Sequence, residues 1–252
     1  MYLLPVLDLL NGLVVRGLRG RRNEYRPVVS RLVGTSDPLT IAQAFRDQLG
    51  LTRIYVADLD AILHQRPNHE LYDSLSRDGF TLLVDAGLRN VESADAILAA
   101  GAAQVVAGLE TWPTAADLAC LCGRVGAERV IFSVDLKNGE PLGDLAGWHC
   151  TDPFTIAMSA VQAGVEEMIV LDLALVGAGE GVSTIDLCRQ LLQRNPQLRL
   201  ITGGGVRDVS DLLQLSKIGI HGVLVASALH DGKITRADVD KLSGVITTTV
   251  ET

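Results

Sequence analysis

The chain has 252 residues, 48% of them hydrophobic, which is enough for one large domain with a sizeable core. Its formal net charge of −8 argues against a general nucleic-acid-binding protein, because that class needs a basic face. The sequence shows no apolar run long enough to span a bilayer, no export signal and no disulfide framework. We therefore expect a soluble, cytoplasmic protein that binds neither nucleic acid nor membrane.

Short runs rich in β-branched residues recur along the chain and predict eight β-strands. In chain order they are Leu3–Leu9, Arg53–Asp58, Thr81–Asp85, Gln104–Ala107, Arg129–Asp135, Met168–Asp172, Leu198–Thr202 and Gly222–Val225. Amphipathic segments between them predict helices, among them Pro38–Leu49, Val91–Ala100, Pro153–Gln162 and Ser210–Lys217.

Strands that are apolar on both faces and alternate with helices are typical of a parallel sheet covered by helices. Eight such units in one chain predict a (β/α)8 TIM barrel. A doubly wound open sheet is the alternative, but the first strand-to-helix turn lacks that class's G-x-G-x-x-G pattern. We assign residues 1–245 to a single barrel domain and residues 246–252 to a C-terminal tail.

The two halves of the sequence resemble each other. "LDLLNG" (7–12) recurs as "VDLKNG" (134–139), and "RIYVADLDAI" (53–62) aligns with "EMIVLDLALV" (167–176). A third block, residues 82–109, aligns with residues 200–227, so that Gly87 matches Gly205. Three blocks in the same order predict a barrel built from two duplicated half-barrels.

The duplication pairs Asp8 with Asp135 at the ends of the first and fifth strands, opposite each other at the face where barrels hold their active sites. Two carboxylates there can act as general base and general acid. Alternatively, each aspartate only accepts backbone N–H bonds from the Asn-Gly turn that follows it. Asp58 and Asp172 are weaker, substrate-binding candidates, since helix capping or loop ordering explains them more readily.

Glycines after the seventh strand predict a phosphate site. Gly203, Gly204 and Gly205 stand between a strand and a helix, where backbone N–H groups can approach an anion. The next unit adds Ala226 and Ser227, and barrels often hold a phosphate in these two loops. The alternative is a tight turn. The aligned segments 85–87 and 108–110 keep fewer glycines and add acidic residues, so a second phosphate site is doubtful.

Two loops could contribute further contacts. The segment "RGLRGRRNEYRP" (16–27) carries five arginines, and Arg19 is our candidate for closing on an anionic ligand. A solvated loop or a subunit contact is equally compatible with it. Trp148 follows the fifth strand and could stack on a planar ligand or simply pack. The histidines show no metal-ligand or catalytic-triad spacing, so no metal site is expected.

Several of these motifs are similar to those of a known family. "LPVLDLLNGLVVR" (4–16), "FSVDLKNG" (132–139), "AGWHC" (146–150) and "TGGGVRD" (202–208) resemble the histidine-biosynthesis barrels. The nearest member is phosphoribosylformimino-aminoimidazole-carboxamide ribotide isomerase, and the cyclase subunit of imidazole-glycerol-phosphate synthase is a near relation. The resemblance extends from about residue 3 to residue 245.

The resemblance implies an Amadori rearrangement of an aminoaldose to an aminoketose, without a metal or organic cofactor. By this resemblance Asp8 is the general base that removes the proton at C2, and Asp135 is the general acid that helps to open the ribose ring. The glycines Gly203–Gly205 would hold one phosphate of a substrate that has two. Trp148 matches a mobile tryptophan of the family.

The chain also departs from the family pattern. Asp85-Ala86-Gly87 replaces a second glycine triplet, and Leu109 replaces a Ser or Thr. The segment 172–178 lacks the second Asp and the Thr of D-x-x-x-D-G-T. Divergent barrels of this kind are associated with pterin or furan one-carbon-carrier biosynthesis. Three interpretations thus stay open: the isomerase, a divergent paralogue with a possibly monophosphate substrate, and a non-catalytic phosphate-binding barrel. Under each of them we expect a monomer or homo-oligomer that binds a phosphorylated small molecule.

Overall fold

The computed structural model describes residues 1–244, so the tail assigned to residues 246–252 lies outside the described residues. The strands of this region are β1 (Tyr2–Leu10), β2 (Leu13–Arg16), β3 (Arg26–Pro27), β4 (Arg53–Asp58), β5 (Thr81–Asp85), β6 (Gln104–Gly108), β7 (Val130–Lys137), β8 (Glu140–Pro141), β9 (Glu167–Asp172), β10 (Arg199–Gly203) and β11 (Gly222–Val225). The helices are α1 (Pro38–Leu49), α2 (Leu59–His64), α3 (His69–Arg77), α4 (Val91–Ala99), α5 (Ala115–Val125), α6 (Pro153–Gln162), α7 (Ile185–Arg194), α8 (Val209–Lys217), α9 (Ser227–His230) and α10 (Arg236–Gly244).

Eight of the strands form a closed parallel barrel. Their order around the ring is β1, β4, β5, β6, β7, β9, β10 and β11. Parallel pairing of β11 with β1, with Tyr2 opposite Gly222, completes the ring. The predicted (β/α)8 barrel is confirmed, and each of the eight strands lies within two residues of its predicted bounds at either end.

The helices begin where the sequence supplies caps. Asp37 caps α1 by accepting a hydrogen bond from the Thr40 N–H at 2.8 Å, and Pro38 stands at the first helical position. Asp152 and Pro153 repeat this arrangement at the start of α6. These signals are local, which explains why both helices have the bounds that the sequence predicts.

Two hairpins extend the barrel strands beyond the ring. β2 folds back on β1 through Asn11 and Gly12, whose φ angles are +53° and +75°. β8 folds back on β7 through Asn138 and Gly139, with φ angles of +54° and +84°. Asn-Gly favours such two-residue turns, because both residues tolerate positive φ. The repeated "NG" therefore encodes a hairpin in each half-barrel.

The core has two layers. Inside the barrel lie nine buried apolar side chains, among them Leu4, Tyr55, Ile131 and Ile201. A larger cluster fills the space between the strands and the surrounding helices. Inward and outward residues alternate along each strand, as the two-residue period of a strand requires. This packing fixes the strand ends that carry the polar residues of the mouth.

Glu167 lies at the centre of a polar network at the N-terminal end of the barrel. Its side chain accepts hydrogen bonds from the Tyr2 hydroxyl at 2.7 Å and the Gln104 amide at 2.9 Å, and it is 3% exposed. Arg53 pairs with it at 3.3 Å and Arg199 at 3.6 Å. This polar network closes the end of the barrel opposite the mouth.

Within residues 1–244, no helix has the length and apolar character needed to cross a membrane.

Candidate active site

A cavity of about 220 Å³ opens at the C-terminal ends of the barrel strands. Its polar side chains include three aspartates, which project from the ends of β1, β5 and β7. The polar and charged residues lining it are Asp8, Arg16, Arg22, Tyr25, Tyr55, Asp85, Asp135, Ser227, Asp231 and Lys233. This is the face at which (β/α)8 barrels place their chemistry.

Asp8 lies on β1, where its carboxylate is enclosed by the loop that follows β2. Burial raises the pKa of Asp8 to about 7, a backbone hydrogen bond from the Gly17 N–H opposes the rise, and the charge of Asp85 adds to it. A Cβ at Gly17 would lie 2.9 Å from Oδ2 of Asp8, so the loop approaches this closely only with glycine there. Asp8 is therefore poised to accept a proton near neutral pH.

Asp135 lies on β7, diametrically opposite β1 in the ring. Burial raises its pKa to about 7 as well, although the Ser133 hydroxyl donates a hydrogen bond to its Oδ1 at 2.7 Å. The charges of Asp85 and Glu110 raise the pKa of Asp135, and that of Arg22 lowers it. Two carboxyl groups of this kind, facing one cavity, can exchange protons with a ligand held between them.

The backbone N–H groups of the hairpin turns do not form hydrogen bonds with Asp8 or Asp135. The Asn11 N–H donates to Oδ2 of Asp60 at 2.6 Å. The N–H groups of Asn138 and Gly139 donate to Asp172 at 3.1 and 2.9 Å. Other carboxylates thus order the turns, which leaves Asp8 and Asp135 facing the cavity.

The glycine loop after β10 and the start of α9 meet at the cavity wall. Gly204, Gly205, Ala226 and Ser227 line it, whereas Gly203 is the buried last residue of β10. Within residues 1–244, the backbone N–H groups of Gly205 and Ser227 donate to no protein acceptor. Lys233 lines the same wall. Free N–H groups beside an ammonium group suit an anion such as phosphate.

The arginine-rich loop covers the mouth, but with other arginines than the one selected from the sequence. Arg16 and Arg22 line the cavity together with Tyr25. Arg19 instead forms an exposed ion pair with Glu180, and its N–H donates to the Val176 carbonyl at 2.8 Å. Arg19 therefore joins the loop after β2 to the loop after β9.

The structure does not bring Asp58 or Asp172 to the cavity. Asp58 is 1% exposed and accepts hydrogen bonds from the Ala61 and Asn68 N–H groups and from the Tyr72 hydroxyl. Asp172 is 4% exposed and orders the hairpin of β7 and β8. Both positions fit the capping and loop-ordering alternative.

Trp148 also lies away from the cavity. It is 7% exposed, its ring stacks on Phe132 at 5.2 Å, and its indole N–H donates to the Trp112 carbonyl at 2.9 Å. This position fits the packing alternative, because the ring belongs to the cluster between strands and helices.

Sequence reasoning missed several cavity residues. Tyr55 lines the cavity and donates its hydroxyl hydrogen to Oδ2 of Asp85 at 3.1 Å. Burial, followed by the charges of Asp85 and Asp135, raises the pKa of Tyr55 well above its ordinary value, so it remains a donor. A signal existed for Asp85, which ends β5 as Asp8 and Asp135 come near the ends of their strands. Arg22, Tyr25 and Lys233 reach the cavity because of the path that their loops take. Loops have no periodic sequence pattern, so these positions could not be predicted from the sequence.

The described residues contain no cluster of three or more His, Cys, Asp or Glu side chains arranged to hold a metal ion.

Comparison with known proteins agrees with this architecture. The family model described as "Histidine biosynthesis protein" matches residues 2–235. The chain is 29% identical over 244 residues to 1-(5-phosphoribosyl)-5-((5-phosphoribosylamino)methylideneamino)imidazole-4-carboxamide isomerase of Bacteroides thetaiotaomicron, covering 94% of this chain and 97% of the relative. It is 30% identical to the same isomerase of Bacteroides fragilis, covering 92% and 95%. An uncharacterized protein of Methanocaldococcus jannaschii is 28% identical, with 95% and 97% covered.

Proposed function

The chain belongs to the histidine biosynthesis protein family, and on that premise we propose that it is an isomerase acting on a phosphorylated small molecule by an Amadori rearrangement. One observation carries the proposal. Asp8 and Asp135 face a single cavity from opposite strands, and the pKa of each is raised to about 7. A base and an acid of that strength can both work near neutral pH.

In the proposed reaction, Asp135 gives its proton to the ring oxygen as the C1–O bond of the aminoaldose breaks. The open form then carries a C1–N double bond. Asp8 takes the proton from C2, so that the C–H electron pair becomes the C1–C2 double bond and the electron pair of the C1–N double bond returns to the nitrogen, which has kept its own proton. The C2 hydroxyl then gives its proton to Asp135 and Asp8 returns a proton to C1, which gives the aminoketose and restores both carboxyl groups. The net change is an isomerisation, which needs no redox partner.

The glycine cradle would hold the substrate in register for this chemistry. Gly204, Gly205, Ala226 and Ser227 line one wall, with Lys233 beside them. A phosphate bound there places the carbon chain of the substrate across the mouth, towards the two aspartates. The loop that carries Arg22 and Tyr25 covers the site and limits the access of water.

Replacement of either aspartate tests the proposal. Asp8→Asn and Asp135→Asn should each lower kcat by about 10²–10⁴-fold, because each removes a proton-transfer group and keeps the side-chain shape. Inorganic phosphate binding, measured by isothermal titration, should persist in both. Asp95→Asn is the matched control, since Asp95 is an exposed residue of α4. Turnover that survives both active-site changes would show that the carboxylates do not carry the reaction, and a chain without measurable turnover would be a binding barrel.

The histidine pathway is tested separately, by complementation. A well-expressed chain should rescue an isomerase-deficient strain on medium without histidine if its substrate is the one named for the relatives. Failure to rescue would remove that assignment and leave the isomerase chemistry to be assayed on other phosphorylated aminoaldoses.

A divergent paralogue with a monophosphate substrate, for example in one-carbon-carrier biosynthesis, is the second candidate. The observation that favours it is the asymmetry of the mouth, where Asp85 faces the cavity at the position aligned with Gly203. This candidate predicts one phosphate in a co-crystal with inorganic phosphate, at Gly204, Gly205 and Ser227. Two phosphates of equal occupancy would contradict it.

A further inference from the structure

The two half-barrels differ at one corresponding turn of the mouth. The repeat aligns Asp85, Ala86 and Gly87 with Gly203, Gly204 and Gly205. Gly87 and Gly205 both have positive φ, +60° and +85°, so the third position has the same backbone form in both halves. A Cβ at Gly203 would lie 2.7 Å from the Leu224 carbonyl oxygen, which excludes any side chain there. The first half instead accommodates a carboxylate.

The Asp85 carboxylate accepts the hydrogen bond of the N–H group that this turn exposes. Its Oδ1 accepts a hydrogen bond from the Gly87 N–H at 3.1 Å, and its Oδ2 accepts one from the Tyr55 hydroxyl at 3.1 Å. In the second half, the equivalent N–H of Gly205 donates to no acceptor within the described chain. An anion built into the protein therefore sits where the first half would otherwise bind an anionic ligand.

The charges around Asp85 oppose a second anion. Asp85 lines the same cavity as Asp8 and Asp135, and its charge raises the pKa of both. Burial raises the pKa of Asp85 itself, hydrogen bonds from Gly87 and Tyr55 oppose the rise, and the charge of Glu110 adds to it. Arg22 acts against this field. Arg16, which pairs with Asp231, and Lys233, beside the glycine cradle, also line the cavity. A positively charged hydrogen-bond donor would be stabilised here, and a phosphate would be repelled.

We propose that Asp85 is a specificity-determining residue, whose carboxylate takes the place of a second phosphate and receives a protonated amino group of a monophosphorylated substrate. The inference rests on the proposed function, because it requires the single phosphate of that substrate to lie in the cradle of Gly204, Gly205 and Ser227. A substrate bound in this way has an anionic phosphate at one end and a cationic amino group at the other. The two ends fix the direction in which the molecule lies across the mouth.

Three matched sugar phosphates test the proposal by isothermal titration. Glucosamine 6-phosphate and glucose 6-phosphate differ by one amino group, and glucose 1,6-bisphosphate adds a second phosphate. The wild-type chain should bind glucosamine 6-phosphate about tenfold more tightly than glucose 6-phosphate, and the bisphosphate no more tightly than glucose 6-phosphate.

Two variants distinguish the effect of the Asp85 charge from the effect of its side-chain volume. Asp85→Asn keeps the shape of the side chain and should abolish the preference for the amino sugar. Asp85→Gly frees the Gly87 N–H and should make the bisphosphate bind about tenfold more tightly than glucose 6-phosphate. Asp95→Asn makes the same charge change as the first variant on an exposed helix and should behave as wild type. Should Asp85→Gly fail to fold, Asp85→Asn alone decides.

The outcomes distinguish this inference from the function on which it rests. A wild-type chain that prefers the bisphosphate tenfold, or an amino-sugar preference that survives Asp85→Asn, would overturn the role of Asp85 alone. If glucose 6-phosphate binds no more tightly than glucose, the cradle is not a phosphate site, and both proposals fail.

Discussion

At the scale of single residues, the burial of Asp8 and Asp135 makes the stability of the protein depend on pH. The pKa of an aspartate is about 3.9 in an unfolded chain, whereas burial raises it to about 7 for both residues in the folded protein. Between these values the folded chain binds more protons than the unfolded chain. The two groups therefore favour folding most at low pH, and that contribution is lost as the pH rises through 7.

Removing either charge should consequently stabilise the protein in alkaline buffer. At pH 8, Asp8→Asn is expected to raise the Tm by roughly 2–4 °C, equivalent to about 1 kcal/mol in a domain of this size. The gain should shrink at pH 5, where the folded wild-type carboxyl is already protonated. Thermal unfolding followed by circular dichroism at both pH values measures this. A lower Tm than wild type at pH 8 would contradict the burial argument, and Asp95→Asn should shift little at either pH.

The sequence locates these two aspartates because their repeat places them on opposite strands. Of the residues predicted to bind phosphate, Gly204, Gly205, Ala226 and Ser227 line the cavity and Gly203 does not. Trp148 could not be placed in the same way, since a ring after a strand can turn towards the mouth or pack against Phe132. The side-chain rotamer and the neighbouring residues determine which way the Trp148 ring points, and the local sequence predicts neither of them.

At the scale of elements, two loops form one cover over the mouth. The Arg19 N–H bonds to the Val176 carbonyl, and a Cβ at Gly177 would lie 2.2 Å from the Gly17 carbonyl oxygen. Gly17 in turn lies against Asp8. The contact between the loops therefore supports the hydrogen bond that the Gly17 N–H makes with Asp8.

Gly177→Ala should separate the two loops. Because the new methyl group would collide with the Gly17 carbonyl, we expect KM or the phosphate Kd to rise about tenfold or more, with kcat also reduced. Gly179→Ala is a matched control. Gly179 has φ of +66° against +71° for Gly177, but its Cβ would meet nothing within 4 Å. Steady-state kinetics of both variants measures the effect, and equal losses would show that backbone conformation, rather than the loop contact, is responsible.

Strands and helices were easier to predict than these loops. Each barrel strand contains a short apolar run, and α1 and α6 carry an Asp-Pro start signal. The strands β3 and β8 have only two residues each, exposed or partly exposed, and β2 has four, so none of the three contains an apolar run of strand length. The Asn-Gly pairs are the sequence signal for these hairpins, but the same pair is also compatible with a local turn that joins no strands.

At the scale of the whole molecule, the barrel has the polar network of Glu167 at one end and the candidate site at the other. Burial acts to raise the pKa of Glu167, but hydrogen bonds from Gln104 and Tyr2 and the charges of Arg53 and Arg199 together hold it below its ordinary value. This stabilisation is present above the unfolded-state pKa and is lost as the pH falls through the folded-state value.

Glu167→Gln should therefore destabilise the fold by about 3 kcal/mol at neutral pH, because it leaves Arg53 without its buried partner. Activity per folded molecule should be unchanged, since the residue lies at the end opposite the mouth. Glu166→Gln changes an exposed neighbour and should cost less than about 1 kcal/mol. Urea unfolding at pH 7 compares the two variants. Equal stability of Glu167→Gln and wild type would mean that the network contributes nothing.

Closure of the ring also bears on how the protein can fold during synthesis. β1 pairs with β4 on one side and with β11 on the other, so its second neighbour emerges from the ribosome only after residue 225. Until then the nascent chain carries two unpaired strand edges, which invite pairing with other chains. The last contacts to form join residues nearly a full chain length apart, and such high contact order slows folding. The incomplete barrel is thus the stage of synthesis at which chaperone binding would protect the chain from pairing with others.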